Sequence, residues 1–166
     1  HDGLGGSIAA AVAIDPNGRL WTAADLNTSL NIYDPATDRW QAQRTWECPD
    51  MGDPIALDID NVGRIWLGGD EQGIRMVDPG GNPFRPCDQY TWQSFKSGNP
   101  PELRSNKIRA IAVNHTTNDV WVGTEGGISV RSAAGIWSSY TFTSTGCGLV
   151  SDDVHSIAFD VNGNSW

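Results

Sequence analysis

The chain has 166 residues, with 20 acidic against 11 basic side chains and a formal net charge of -9. That length allows one core, and the acidic balance, with no run of Lys or Arg, excludes a surface built to grip nucleic acid phosphates or an anionic membrane. No apolar run is long enough to span a bilayer, so direct membrane insertion is not expected either.

Nineteen glycines and eight tryptophans describe an all-β chain of aromatic strands and frequent turns. In chain order, the first unit is Ala13-Ile14-Asp15-Pro16-Asn17-Gly18-Arg19-Leu20-Trp21, an apolar strand, a polar turn and a Trp-centred strand. It recurs as Ile59-Asp60-Asn61-Val62-Gly63-Arg64-Ile65-Trp66, as Val113-Asn114 through Trp121, and as Phe159-Asp160 through Trp166. The four tryptophans are spaced by 45, 55 and 45 residues. An Asp stands six before Trp21, Trp66 and Trp166, whereas Asn114 stands seven before Trp121. That third turn carries one extra residue, and Asn118 takes the glycine's place because Asn accepts positive φ better than most residues.

Ahead of each Asp the strand alternates large and small residues: Val12 and Ile14 around Ala13, Ile111 and Val113 around Ala112, Ile157 and Phe159 around Ala158. One side fills space and the other admits a close neighbour. Asp58, between Leu57 and Ile59, breaks that pattern. A third strand follows each Trp strand, at Leu30–Tyr33, Ile74–Val77 and Ile128–Arg131, and a fourth begins near Trp40, Trp92 and Trp137. Four short strands every 45 residues or so predict blades of a β-propeller, and no segment carries a helical apolar period. The expected repeats run approximately 4–48, 49–103, 104–148 and 149–166, the last incomplete: about three four-stranded blades plus the first strands of a fourth. The extra ten residues of the second repeat lie around Pro79–Cys87, a Gly/Pro loop.

Trp121-Val122-Gly123-Thr124 and Gly126-Gly127-Ile128, with the lead-in Gly148-Leu149-Val150-Ser151-Asp152-Asp153-Val154, resemble the bacterial two-component-regulator propeller repeat. The first repeat departs most, with Trp21-Thr22-Ala23-Ala24 in place of the Gly-Thr. The resemblance implies a sensor or binding propeller, often extracellular or periplasmic and often seven-bladed. The chain starts on a lead-in and ends on Trp166 inside a Trp strand, so the remaining blades are expected in the same polypeptide or in a symmetry mate, to cover open strand edges and blade faces.

Candidate sites follow from position. The Asp-x-x-Gly-x-x-Trp spacing does not match an EF-hand calcium loop, so Asp15, Asp60 and Asp160 are expected to cap their turns; no metal or cofactor is assigned. Asp58 either has a neighbouring partner or faces the central channel, where it would suit a cationic or hydroxylated ligand. His115 is expected to be solvated in its turn. His155 falls in register with Arg109 near the channel, with no carboxylate at a spacing that would orient it. Turns joining second to third strands and loops joining blades should share the ligand-bearing rim. They place Asp25, Asp70, Glu71, Glu125, Asp50, Asp53, Arg104, Asn106, Asp152 and Asp153 there. Trp46 lies outside the repeat pattern and is the candidate for an exposed ring. Cys48, Cys87 and Cys147 allow one disulfide or three thiols.

No Gly-x-Ser-x-Gly, His-Glu-x-x-His or phosphate-loop motif is present. The repeats, with what the resemblance implies, lead to the expectation of a non-catalytic module binding a protein or carbohydrate ligand, as the extracytoplasmic part of a larger bacterial protein. The alternatives are a propeller lyase or hydrolase, whose active site needs further blades, and a structural surface-layer or filament component.

Overall fold

The computed structural model describes residues 9–24, 29–43, 48, 54–98 and 102–166. Among these, twelve strands form three four-stranded antiparallel sheets, each in sequence order. The first blade contains β1 (Ala9–Ile14), β2 (Leu20–Ala24), β3 (Ser29–Asp34) and β4 (Arg39–Gln43). The second contains β5 (Pro54–Ile59), β6 (Ile65–Gly69), β7 (Gly73–Asp78) and β8 (Thr91–Phe95). The third contains β9 (Ile108–Asn114), β10 (Asp119–Thr124), β11 (Gly127–Arg131) and β12 (Trp137–Tyr140). The first strands β1, β5 and β9 lie side by side, so the sheets fan from a shared inner edge as propeller blades do. A fourth blade opens with a hairpin in which Ala158 and Trp166 exchange backbone hydrogen bonds and Phe159 pairs with Ser165.

Turn chemistry sets these hairpins. Gly18, Gly63 and Gly163 stand at φ +78°, +86° and +82°, and Asn118 holds the corresponding place at +62°. The core lies between the sheets. One cluster packs Trp21, Ala23, Leu30 and Ile32 of the first blade against Leu57, Ile59, Ile65, Leu67 and Val77 of the second. The next packs Trp66, Ile74, Met76 and Phe95 of the second against Ile108, Ile111, Val113, Val120 and Val122 of the third. The first and second blades thus bury their Trp faces against the apolar face of the next. The same positions measure the effect of a preceding blade: Leu57 and Ile59 are 6% and 1% exposed, Ile111 and Val113 9% and 3%, but Val12 and Ile14 are 60% and 65% exposed.

The glycine of Trp-x-Gly serves this packing. A Cβ on Gly68 would come within 2.5 Å of the Ile108 Cγ2, and one on Gly123 within 2.7 Å of the Val154 carbonyl oxygen, both in the following blade. Ile108 and Val154 occupy equivalent lead-in positions, so the bare backbone is where the next repeat enters. Thr124, next in the motif, donates its hydroxyl to the Gly127 carbonyl and accepts from the Gly126 N–H, closing the turn into β11.

The long second-repeat loop is a clamp. Cys87, in a single 3-10 turn at Cys87–Gln89, forms a disulfide with Cys48, which follows the first blade. Gln43 at the end of β4 is 1% exposed and donates to the Arg85 carbonyl and the Tyr90 hydroxyl, which in turn donates to the Pro83 carbonyl. Arg39 lies 4.3 Å from the Phe84 ring centre. Cys147 is a free, exposed thiol.

Candidate functional site

The repeated aspartates are hubs of the hairpins. Asp60 Oδ1 accepts from the Val62 and Arg64 N–H groups at 3.1 and 2.9 Å, and Oδ2 from Arg64 Nε and Trp66 Nε1 at 2.6 and 3.1 Å. Asp15 repeats the set with Asn17, Arg19 and Trp21. The expected turn cap is present, and with it a bond that spacing alone did not suggest: in the first two repeats the Asp six residues before Trp21 or Trp66 fixes that indole. Asp160 caps its turn through Asn162 and Asn164, while Trp166 stays 81% exposed. Asn114 caps its turn but donates Nδ2 to the Gly163 carbonyl of the fourth blade, and Trp121 Nε1 has no partner. Trp121 stacks on Tyr140 and meets Phe159 edge-on.

The candidate binding residues divide between two places. Asp58 lines a groove of ≈ 800 Å³ along the inner strands, with Ala13, Ala112, His115, Ala158 and Asp160 also on its walls. Its Oδ1 accepts from the Ile59 N–H at 2.8 Å and its Oδ2 from the Val113 N–H, across the blade boundary, at 2.7 Å. The expected alternatives therefore coincide: Asp58 faces the channel and has a partner in the next blade. Burial pushes its carboxyl above the usual range, against the pull of those two N–H groups and of nearby His115. His115 is exposed in its turn, as expected, and is also bonded. Its Nδ1 lies 2.7 Å from Asn61 Oδ1, and Asn61 reaches back to the His115 carbonyl and to Asn118 Oδ1, so the turns of the second and third blades are clasped.

The other candidates gather at the opposite rim. Glu71 lies in the turn before β7 beside Asp70, and Glu125 in the turn before β11. Lys107 Nζ stands 4.0 Å from Glu71 and 3.5 Å from Glu125. Arg109 Nε and His155 Nε2 approach the two oxygens of Asp153 at 3.5 and 3.1 Å. A carboxylate thus does orient His155: Asp153 is two residues away, on the same side of an extended chain. Backbone clasps hold this rim. Asn106 accepts from Gly73 N–H through its carbonyl and from Ser97 N–H through Oδ1; Asp152 does the same for Gly127 and Phe142. The ion pairs, at exposed side chains, add little to stability and can exchange partners. Sequence reasoning missed Lys107; aligning Ser105–Ile108 with Ser151–Val154 would have found it. Asp25, Asp50, Asp53 and Trp46 lie outside the described residues.

The sequence matches no protein-family model and none of the curated proteins compared with it. Its fold does match solved structures. PorZ, a surface component of the type-IX secretion system of Porphyromonas gingivalis, gives a TM-score of 0.68 at 20% identity, over 94% of this chain and 24% of that one. The extracellular domain of the hybrid two component system BT3049 from B. thetaiotaomicron gives 0.63 at 18%, over 99% and 21%. Virginiamycin B lyase from Staphylococcus aureus gives 0.59 at 16%, over 90% and 44%. The chain thus spans between a fifth and a half of the proteins it is similar to, and these include extracellular, surface and enzymatic propellers. By topology and by these likenesses, the chain is an arc of a β-propeller, similar in fold to the extracellular domains of hybrid two-component systems that its repeat motif resembles.

Proposed function

We propose that this arc is the binding part of an extracytoplasmic propeller, which presents the Glu71–Lys107–Glu125 and Arg109–Asp153–His155 rim to a protein or carbohydrate ligand and performs no chemistry on it. The observation that carries the reading is a division of labour. Polar residues of the repeat motif are consumed in holding hairpins and blades together, whereas exposed, exchangeable charges from three successive blades converge on one rim. The Cys48–Cys87 disulfide supports an oxidising compartment outside the cytoplasm. The 60% and 65% exposure of Val12 and Ile14 supports a further blade of the same kind as a partner on that face, in the same polypeptide or a second copy. No helix among the described residues is long and apolar enough to cross a membrane.

The test is an NMR titration of the chain with defined oligosaccharides and with a basic peptide. The reading expects shift changes grouped on Glu71, Lys107, Arg109, Glu125 and His155, removed by Lys107→Glu with Arg109→Glu, and no turnover of the probe. Turnover, or changes grouped away from the rim, would contradict it.

A further inference from the structure

The seam between the second and third blades differs from its neighbours at the channel. Asp58 alone occupies a position that is Ala13, Ala112 and Ala158 in the other repeats. Its carboxylate gathers two N–H donors: Ile59 on its own strand and Val113 on the inner strand of the next blade. Just beyond lies the Asn61–His115–Asn118 clasp between the same two blades. The first and second blades are tied instead at the outer side, through Cys48–Cys87 and Gln43.

We propose that Asp58 is a proton-operated latch across the channel seam of the second and third blades, closed when its carboxylate is ionised and released at Val113 when it is protonated. A carboxylate offers an oxygen to each donor. A protonated carboxyl keeps one full carbonyl acceptor for two N–H groups, because the other oxygen has become a donor itself. Ile59 is the adjacent residue on the same strand, so the bond that gives way is the one spanning two blades. The charged groups facing Asp58 are His115 from the β9–β10 turn, Asp60 from its own hairpin and Asp160 across the groove. His115 favours the ionised form, and Asp60 opposes it. Burial acts most strongly and raises the carboxyl's pKa, so the release falls above the ordinary aspartate range of roughly pH 4. The group's contribution to folding stability is then fully present below about pH 4 and declines as pH rises through the raised value. Latch and global stability therefore respond to pH in opposite directions.

The test is a pH titration of backbone amides in the whole chain, from pH 3 to 8, by NMR. The Ile59 and Val113 amides should titrate together with one midpoint above that of a solvated Asp. Val113 protection from exchange should drop roughly tenfold in the acid form while strands β6 and β10 keep theirs. Asp58→Ala should flatten both titrations, and His115→Gln should shift the midpoint upward without abolishing it. A flat Val113 titration in the wild-type chain would overturn the latch, as would a loss of protection shared by every strand. The wild-type titration decides the matter even if Asp58→Ala does not fold.

Discussion

Replacing Asp60 by Ala tests the hub reading most severely. The Asp60 side chain is 0% exposed and serves four donors. Arg64, 24% exposed, and the two turn amides can recover water, so their losses are partial. Trp66, 0% exposed, cannot; an indole N–H orphaned in a buried site costs about 1–3 kcal/mol. Two lost turn bonds add about 1 kcal/mol, and the ion pair, discounted for solvent screening, less than about 1. The sum is about 2–5 kcal/mol, a large part of the roughly 5–15 kcal/mol that holds a domain together. Urea unfolding followed by tryptophan fluorescence reads it, with Asp160→Ala as the control. Asp160 caps the same turn, but beside an exposed Trp166. Asp60→Ala should move the midpoint far more than Asp160→Ala. Equal shifts would refute the hub, reducing the aspartate to a turn former.

Other outcomes follow from the same contacts. Gly68→Ala, which sets a Cβ 2.5 Å from Ile108, should lower stability by about 1–3 kcal/mol without disturbing the hairpins, read by denaturation and far-UV dichroism. Removing the disulfide with Cys48→Ser and Cys87→Ser, across a separation of 39 residues, should cost about 4 kcal/mol in the chain-entropy picture. The native chain should carry a single reactive thiol, Cys147, in a thiol titration. Lys107→Ala, by contrast, should change stability by no more than about 0.5 kcal/mol while weakening rim binding, because its ion pairs are solvent-exposed.

Architecture was legible in the sequence because a propeller writes its structure locally. Gly18, Gly63 and Asn118 announce hairpin turns by backbone conformation, and Trp21, Trp66 and Trp121 mark one strand position each. What joins blades was harder to read. Asp58 accepting from the Val113 N–H, and Asn61 meeting His115, are contacts across 55 and 54 residues that no local spacing encodes. The bond from Trp21 and Trp66 to the Asp six residues before was not suggested by the spacing, because a capped turn already explained that Asp. The clamp around Pro79–Cys87 looked like an ordinary Gly/Pro loop, because the partners it needs, Gln43 and Cys48, belong to the preceding blade. Lys107 escaped notice for a simpler reason: its role comes from acidic turns on two blades, Glu71 and Glu125, that meet only when the sheets fan.

The measurement that bears most directly on the interlocked-blade account is hydrogen exchange at the indole N–H groups. Trp21 and Trp66, held by Asp15 and Asp60 inside the blade boundaries, should be strongly protected, while Trp166 exchanges at the rate of a solvated indole. Exchange at Trp21 and Trp66 as fast as at Trp166 would show that the repeated indoles are not equivalent buried anchors, and the account would fail.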